Sequence, residues 1–244
     1  MNLLTRYAIL AGSSAQAGFQ QKSLCDIYDF LKSTAGGFWF DREILILPEG
    51  VSVPLLKFIL RRVAESGTDF LFLYFCGNQA DERTRGGFTV GGTEIKYSYI
   101  EEICPHQITV FDACAALIPM DDDCAAECTA DFADKRQSAA ARILSDEAFC
   151  SLNGGLRLNG CGDGAQPVLG ADGSGVYTAA LVEALCSADT LLDFTAADRN
   201  ARFACAVARE IGKHTTQPAG SEKSGGVSSK IKPTRCRKSE SVRI

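Results

Sequence analysis

Histidine is nearly absent: the 244 residues hold two, His106 and His214. Long apolar runs are absent as well. None approaches the roughly 18 to 20 residues that a membrane-spanning helix needs. In the opening MNLLTRYAILAGSS the apolar run Tyr7–Ala11 is too short for the core of a signal peptide, and Arg6 lies inside the segment. The segment reads as a first strand, and the chain as a cytoplasmic protein with no membrane association. A net charge of -5 gives no electrostatic ground for binding nucleic acid. The pair Cys124 and Cys128 is not followed by a second Cys/His pair at zinc-ligand spacing. No Gly-rich phosphate loop follows the first strand, which argues against a flavodoxin-type ligand-binding domain. No internal repeat is visible.

What is present suffices for a large core. Hydrophobic residues make up 46% of the chain and charged residues 23%, an ordinary globular balance. Eleven cysteines without an export signal read as reduced thiols rather than a disulfide framework. Cys104, Cys186 and Cys205 lie in apolar runs, where cysteine behaves as a small hydrophobe.

Strand-like and helix-like segments alternate. Tyr7–Gly12 is a short apolar run. Leu24–Lys32 has helical spacing. Glu43–Leu47 is a β-branched run closed by Pro48. Pro54–Ser66 is an amphipathic helix, with Pro54 in its first turn and Gly67 at its C-terminal cap. Asp69–Phe75 and Ile108–Phe111 are continuously apolar, as central strands of a parallel sheet covered on both faces must be. A helix over Ala139–Cys150, a strand at Leu156–Leu158, and helices over Gly175–Ala184 and Ala196–Ile211 follow. This order predicts a three-layer α/β/α sandwich with a mainly parallel central sheet. Residues 1–220 read as one domain. Residues 221–244 read as a disordered tail, carrying seven basic against two acidic residues from Glu222 onward.

In open α/β sheets ligands bind beyond the carboxyl ends of the strands. Strand 69–75 runs into Cys76-Gly77-Asn78-Gln79, and strand 108–111 into Asp112-Ala113-Cys114. A cysteine after a buried strand, beside an acid on a small-residue turn, is either a nucleophile or a buried structural thiol.

The stretches YFCGNQADERTRGG and ITVFDACAA, in that order, resemble the two signature strand ends of the caspase, metacaspase and paracaspase superfamily of cysteine peptidases. In that family the first carries Ser-Gly-His-Gly and the second Asp-x-Cys. AILAGSS with LCDIYDFLK, GSGVYTAALVEAL and TTQPAG resemble three further family segments, so the likeness spans roughly residues 5 to 220. The resemblance implies a caspase-like fold with Cys114 at the nucleophile position. It places Gly77 and Gln79 in the histidine and oxyanion loop. Asp112 and Asp26 match acids that line an S1 pocket for Lys or Arg in metacaspases and paracaspases. Two such carboxylates favour a cationic P1 side chain, with Arg held bidentately. Gln166 falls where paracaspases carry a further acid, and adds no charge. Asp121, Asp122 and Asp123 match an acidic cluster that in metacaspases holds Ca2+; as residues, they read first as a solvated loop and second as oxygen ligands. The likeness leans to a monomer acting on a peptide or protein.

One departure governs the chemistry. Asn78 stands where the family has its histidine. An amide cannot accept and return a proton near neutral pH, so the thiol lacks its base and the leaving amine its acid. Losing one member of such a unit costs about 10⁴ to 10⁶ in rate. His106 opens the strand that ends before Cys114, about 26 Å away along it at ~3.3 Å per residue. His214 closes the last helix. Both read as surface histidines. The sequence therefore points first to a pseudopeptidase that binds a peptide or partner, and second to a weakly active or partner-assisted endopeptidase cutting after Lys or Arg.

Overall fold

The computed structural model describes residues 4–12, 17–48, 50–77, 87–90, 93–113, 135–152, 154–160, 175–187 and 193–215. Five strands form one sheet: β1 (Arg6–Gly12), β2 (Ile44–Ile46), β3 (Phe70–Gly77), β6 (His106–Ala113) and β7 (Gly154–Asn159). Their order is β2-β1-β3-β6-β7 and every pairing is parallel. Parallel strands need crossovers, and here they carry α1 (Ala17–Lys32), α2 (Val53–Glu65) and α3 (Lys135–Ser151). Helices α4 (Val176–Ser187) and α5 (Phe194–Thr215) follow β7 and add to the outer layers.

The alternation of side chains along each strand splits the core in two. Leu10 of β1, Phe72, Tyr74 and Cys76 of β3, and Ile108 and Val110 of β6 face α1, α4 and α5. Leu71, Leu73 and Phe75 of β3 face the opposite way, with Ile9 of β1 and Phe111 of β6. They pack against Leu56, Leu60 and Val63 of α2. Strand β3 is buried along its whole length and β6 from Gln107 to Asp112, because helices and loops cover both faces. The predicted three-layer sandwich is the one observed.

The expected elements recur with shifted ends. Helix α2 starts after Ser52, whose hydroxyl accepts the Leu55 N–H, and ends where Gly67 adopts a φ of 69°. The strand expected over Glu43–Leu47 contracts to three residues. Glu43 belongs instead to a 3-10 turn, where its carboxylate is pulled inward by Arg142. A hairpin of β4 (Gly87–Val90) and β5 (Thr93–Lys96) was not anticipated. Its signal was Gly91-Gly92 between alternating apolar residues, a two-residue hairpin connection. Phe88 of the hairpin lies against Phe75 and Phe111, with ring centroids 4.5 and 5.0 Å away.

The amino ends of the strands are fixed by a buried ion cluster. The Arg6 guanidinium, with no exposed side-chain surface, reaches Ser145 Oγ and Asp146 Oδ1 on α3 and the Gly37 carbonyl. It also lies 4.4 Å from the Trp39 ring centroid. Arg142 holds Glu43 through both of its terminal nitrogens. Burial foremost, then Arg142, pulls the Arg6 guanidinium down to about 9, so it stays charged at neutral pH. Two cations and two carboxylates thus compensate one another out of water.

Candidate functional site

Register brings the two candidate strand ends together. Cys76 pairs with Asp112 and Gly77 with Ala113. Gly12, the last residue of β1, pairs with Cys76 on the other side. Neighbouring strands lie ~4.8 Å apart, so the chain leaves β3 and β6 side by side at the carboxyl edge of the sheet. Asn78, Gln79 and Cys114, the residues that follow, lie outside the described residues. So do Gln166, Asp121, Asp122 and Asp123, the pair Cys124 and Cys128, and the tail.

Asp112 is buried, with 2% of its surface exposed, on the face covered by α4. Its Oδ2 accepts a hydrogen bond from Thr178 Oγ1, and the Thr178 hydroxyl also contacts Tyr74 Oη at 2.7 Å. Burial pushes the Asp112 carboxyl up to about 6, against the pull of the Thr178 bonds. Cys76, beside it on β3, is also buried. Loss of water foremost, then the Asp112 charge, raises this thiol well above the ordinary range. A thiol held protonated in this way is inert. Cys76 is therefore structural, and its place next to Asp112 does not make it a nucleophile.

Asp26 sits elsewhere on the same face. On α1 it pairs with Lys22 one turn back and lines a groove between α1 and α4 with Asp29, Glu183 and Cys186. Burial foremost, then Asp26, raises the Asp29 carboxyl. The structure gives the two acids different partners: Lys22 for Asp26 and Thr178 for Asp112. Sequence reasoning passed over Thr178 and Tyr74. Their signal was a polar atom at a core-facing position of an otherwise apolar strand and helix.

His106 begins β6, opposite Phe70, at the far end of the strand from Asp112. It is half-buried rather than exposed, because its Nδ1 bonds to the Leu152 carbonyl. The six described cysteines are free; Cys104 and Cys205 are buried as expected, whereas Cys186 is exposed in the α1–α4 groove. Among the described residues no group of three or more His, Cys, Asp or Glu side chains is placed to hold a metal ion. Among them, too, no helix is long and apolar enough to cross a membrane.

No protein-family model and no curated protein matches the chain. Solved structures do. The chain is similar to caspase-1 from Spodoptera frugiperda at a TM-score of 0.55 and 12% identity, over 84% of this chain and 78% of that one. It is also similar to the structure of pro-sf-caspase-1, at a TM-score of 0.49 and 14% identity, over 92% of this chain and 89% of that one. At such identity the first likeness speaks for the fold alone, and the parallel five-stranded sheet under its helices is a caspase-like fold.

Proposed function

We propose that the chain is a caspase-like domain that binds a peptide or partner protein at the carboxyl edge of its sheet without turning it over. The observation that carries this reading is the register of β3 and β6. The strands whose next residues are Asn78 and Cys114 end side by side. A peptidase needs a proton acceptor opposite the nucleophile. Asn78 supplies none, and His106 is anchored at the opposite end of β6. Asp112 at the strand end is the carboxylate that favours a basic P1 side chain; Asp26, paired with Lys22 in the α1–α4 groove, and the uncharged Gln166 are the other two positions that the family likeness assigns to this pocket, and Gln166 weakens the preference. The domain spans residues 1–220 and works as a cytoplasmic monomer.

A second reading keeps some chemistry. Cys114 still follows Asp112-Ala113 at the end of the central strand, as a nucleophile would. In that case the chain is a weak or partner-assisted endopeptidase cleaving after Lys or Arg.

The test is incubation with an electrophilic probe bearing Arg at P1, read by intact mass. It is run with and without calcium, for which Asp121, Asp122 and Asp123 offer oxygen ligands. The binding reading expects no adduct on Cys114 in either arm; a stoichiometric adduct would overturn it. Under the second reading, Asn78→His raises hydrolysis of basic-P1 reporters by about 10² to 10⁴, and Cys114→Ala abolishes it.

A further inference from the structure

Thr178 is in the first turn of α4 and has no exposed surface. Its hydroxyl meets Tyr74 Oη on one side and Asp112 Oδ2 on the other. A hydroxyl carries one proton, and an ionised carboxylate only accepts. The Thr178 proton therefore goes to Asp112, and the Tyr74 phenol donates to Thr178 Oγ1. The backbone N–H of Thr178 is a second donor to the same carboxylate. Both donors come from the amino end of a 12-residue helix, where the peptide dipoles favour negative charge. A relay thus runs from β3 through α4 to the end of β6, and two of its three groups are uncharged.

The surroundings make this relay matter. Burial opposes the charge on Asp112, and the Thr178 bonds are what counter it. Among the described residues, the titratable groups that feel the carboxylate are Tyr74 and Cys76 on β3, Tyr177 on α4 and Cys205 on α5; burial foremost raises each of them, and the Asp112 charge adds to it. Neutral Tyr and Cys side chains do not compensate a charge; among the described residues the donors on Thr178 do.

We propose that Thr178, oriented by Tyr74, is the positioning residue for Asp112: it fixes the carboxylate at the end of β6 and sets how strongly the strand-end site takes a cationic side chain. The inference rests on the reading of Asp112 as the counter-charge of a basic P1 group. Neither Thr178 nor Tyr74 touches the ligand; both act through Asp112.

The experiment uses the full chain and two probes, an acetylated peptide ending in arginine amide and its norleucine isostere. Wild type, Thr178→Val, Thr178→Ser and Tyr74→Phe are compared between pH 5.5 and 8.5. The Asp112 carboxyl is followed in parallel by carbon NMR, assigned by its loss in Asp112→Asn. Thr178→Val is expected to raise the Asp112 midpoint by about one pH unit. Its affinity for the arginine peptide then falls about threefold at pH 6.5, where the ionised fraction drops, and is unchanged at pH 8.5. Thr178→Ser restores both readouts, and the norleucine peptide binds all variants alike. A wild-type midpoint in Thr178→Val, or a loss of affinity independent of pH, overturns the positioning role. A shifted midpoint with no preference for arginine in the wild type overturns the proposed function, and with it the specificity half of the inference. If Thr178→Val does not fold, Tyr74→Phe decides the same question. It removes only the outer donor, and an unchanged midpoint there overturns the relay.

Discussion

At the scale of single residues the carboxylate of Asp112 governs behaviour with pH. Its folded value of about 6 lies above the ordinary 3.8, because burial outweighs the Thr178 bonds. The folded state therefore binds more protons than the unfolded chain between those values. This contribution to stability is fully present below pH ~3.8, fades as pH rises through about 6, and stays lost above it. Asp112→Asn should remove the effect. The variant should match wild type near pH 4 and exceed it at pH 8 by up to about 3 kcal/mol, since each pH unit is worth about 1.4, as read by urea unfolding at the two values. The buried cluster at the other end of the strands predicts the opposite sensitivity. Arg142→Met leaves Glu43 without its bidentate partner in a site where the Arg142 side chain is only 4% exposed. A loss of about 3 to 5 kcal/mol is expected, measurable by the same titration. Neither effect was legible in the sequence. Asp112 was legible as an acid near Cys114, and Arg6 as a charge at the start of the first strand, but what each one touches is set by residues 30 to 140 positions away.

At the scale of elements the apolar strands and α2 were the most legible parts. Asp69–Phe75 and Ile108–Phe111 fitted central strands, because a run apolar on both faces needs cover on both faces. Helix α2 announced its own start and stop through Pro54 and Gly67. The hairpin was missed because its flanking strands are only four residues each and follow a charged stretch. It has a structural role all the same. Phe88, 5% exposed, packs on Phe75 and Phe111, each two residues before the end of its strand. Phe88→Ala should lower stability by about 3 to 5 kcal/mol and loosen the amides of residues 75–77 and 111–113. Hydrogen exchange would show the second effect, and unchanged protection there would detach the hairpin from the site. Gly160 is the other element-level constraint. A Cβ there would come within 2.7 Å of the Tyr177 ring, so the turn after β7 needs a glycine to let α4 close onto the sheet.

At the scale of the molecule one sheet carries two distinct ends. The amino end is tied by compensated ions and aromatic packing around Arg6; the carboxyl end presents Cys76, Gly77, Asp112 and Ala113 in register. Truncation after Gly220 is expected to leave Tm unchanged, because the buried residues of both core clusters, among the described residues, all lie at or before Cys205. A fall of several degrees in a thermal melt would tie the basic segment to the fold. The sequence by itself determined the α/β class and the order of the helices and sheet strands, and it supplied the proposal that the ends of β3 and β6 form the site. Those follow from local periodicity, from turn residues and from the rule that parallel strands are covered on both sides. It also supplied the proposal that Asn78 leaves the strand-end site without a base, since that depends on residue identity alone. The tertiary structure decided which groups share a partner. It put Asp112 under Thr178 and Tyr74, gave Asp26 to Lys22 in a separate groove, and anchored His106 to Leu152. Such pairings depend on strand register and helix packing across distant segments, and no local pattern encodes them.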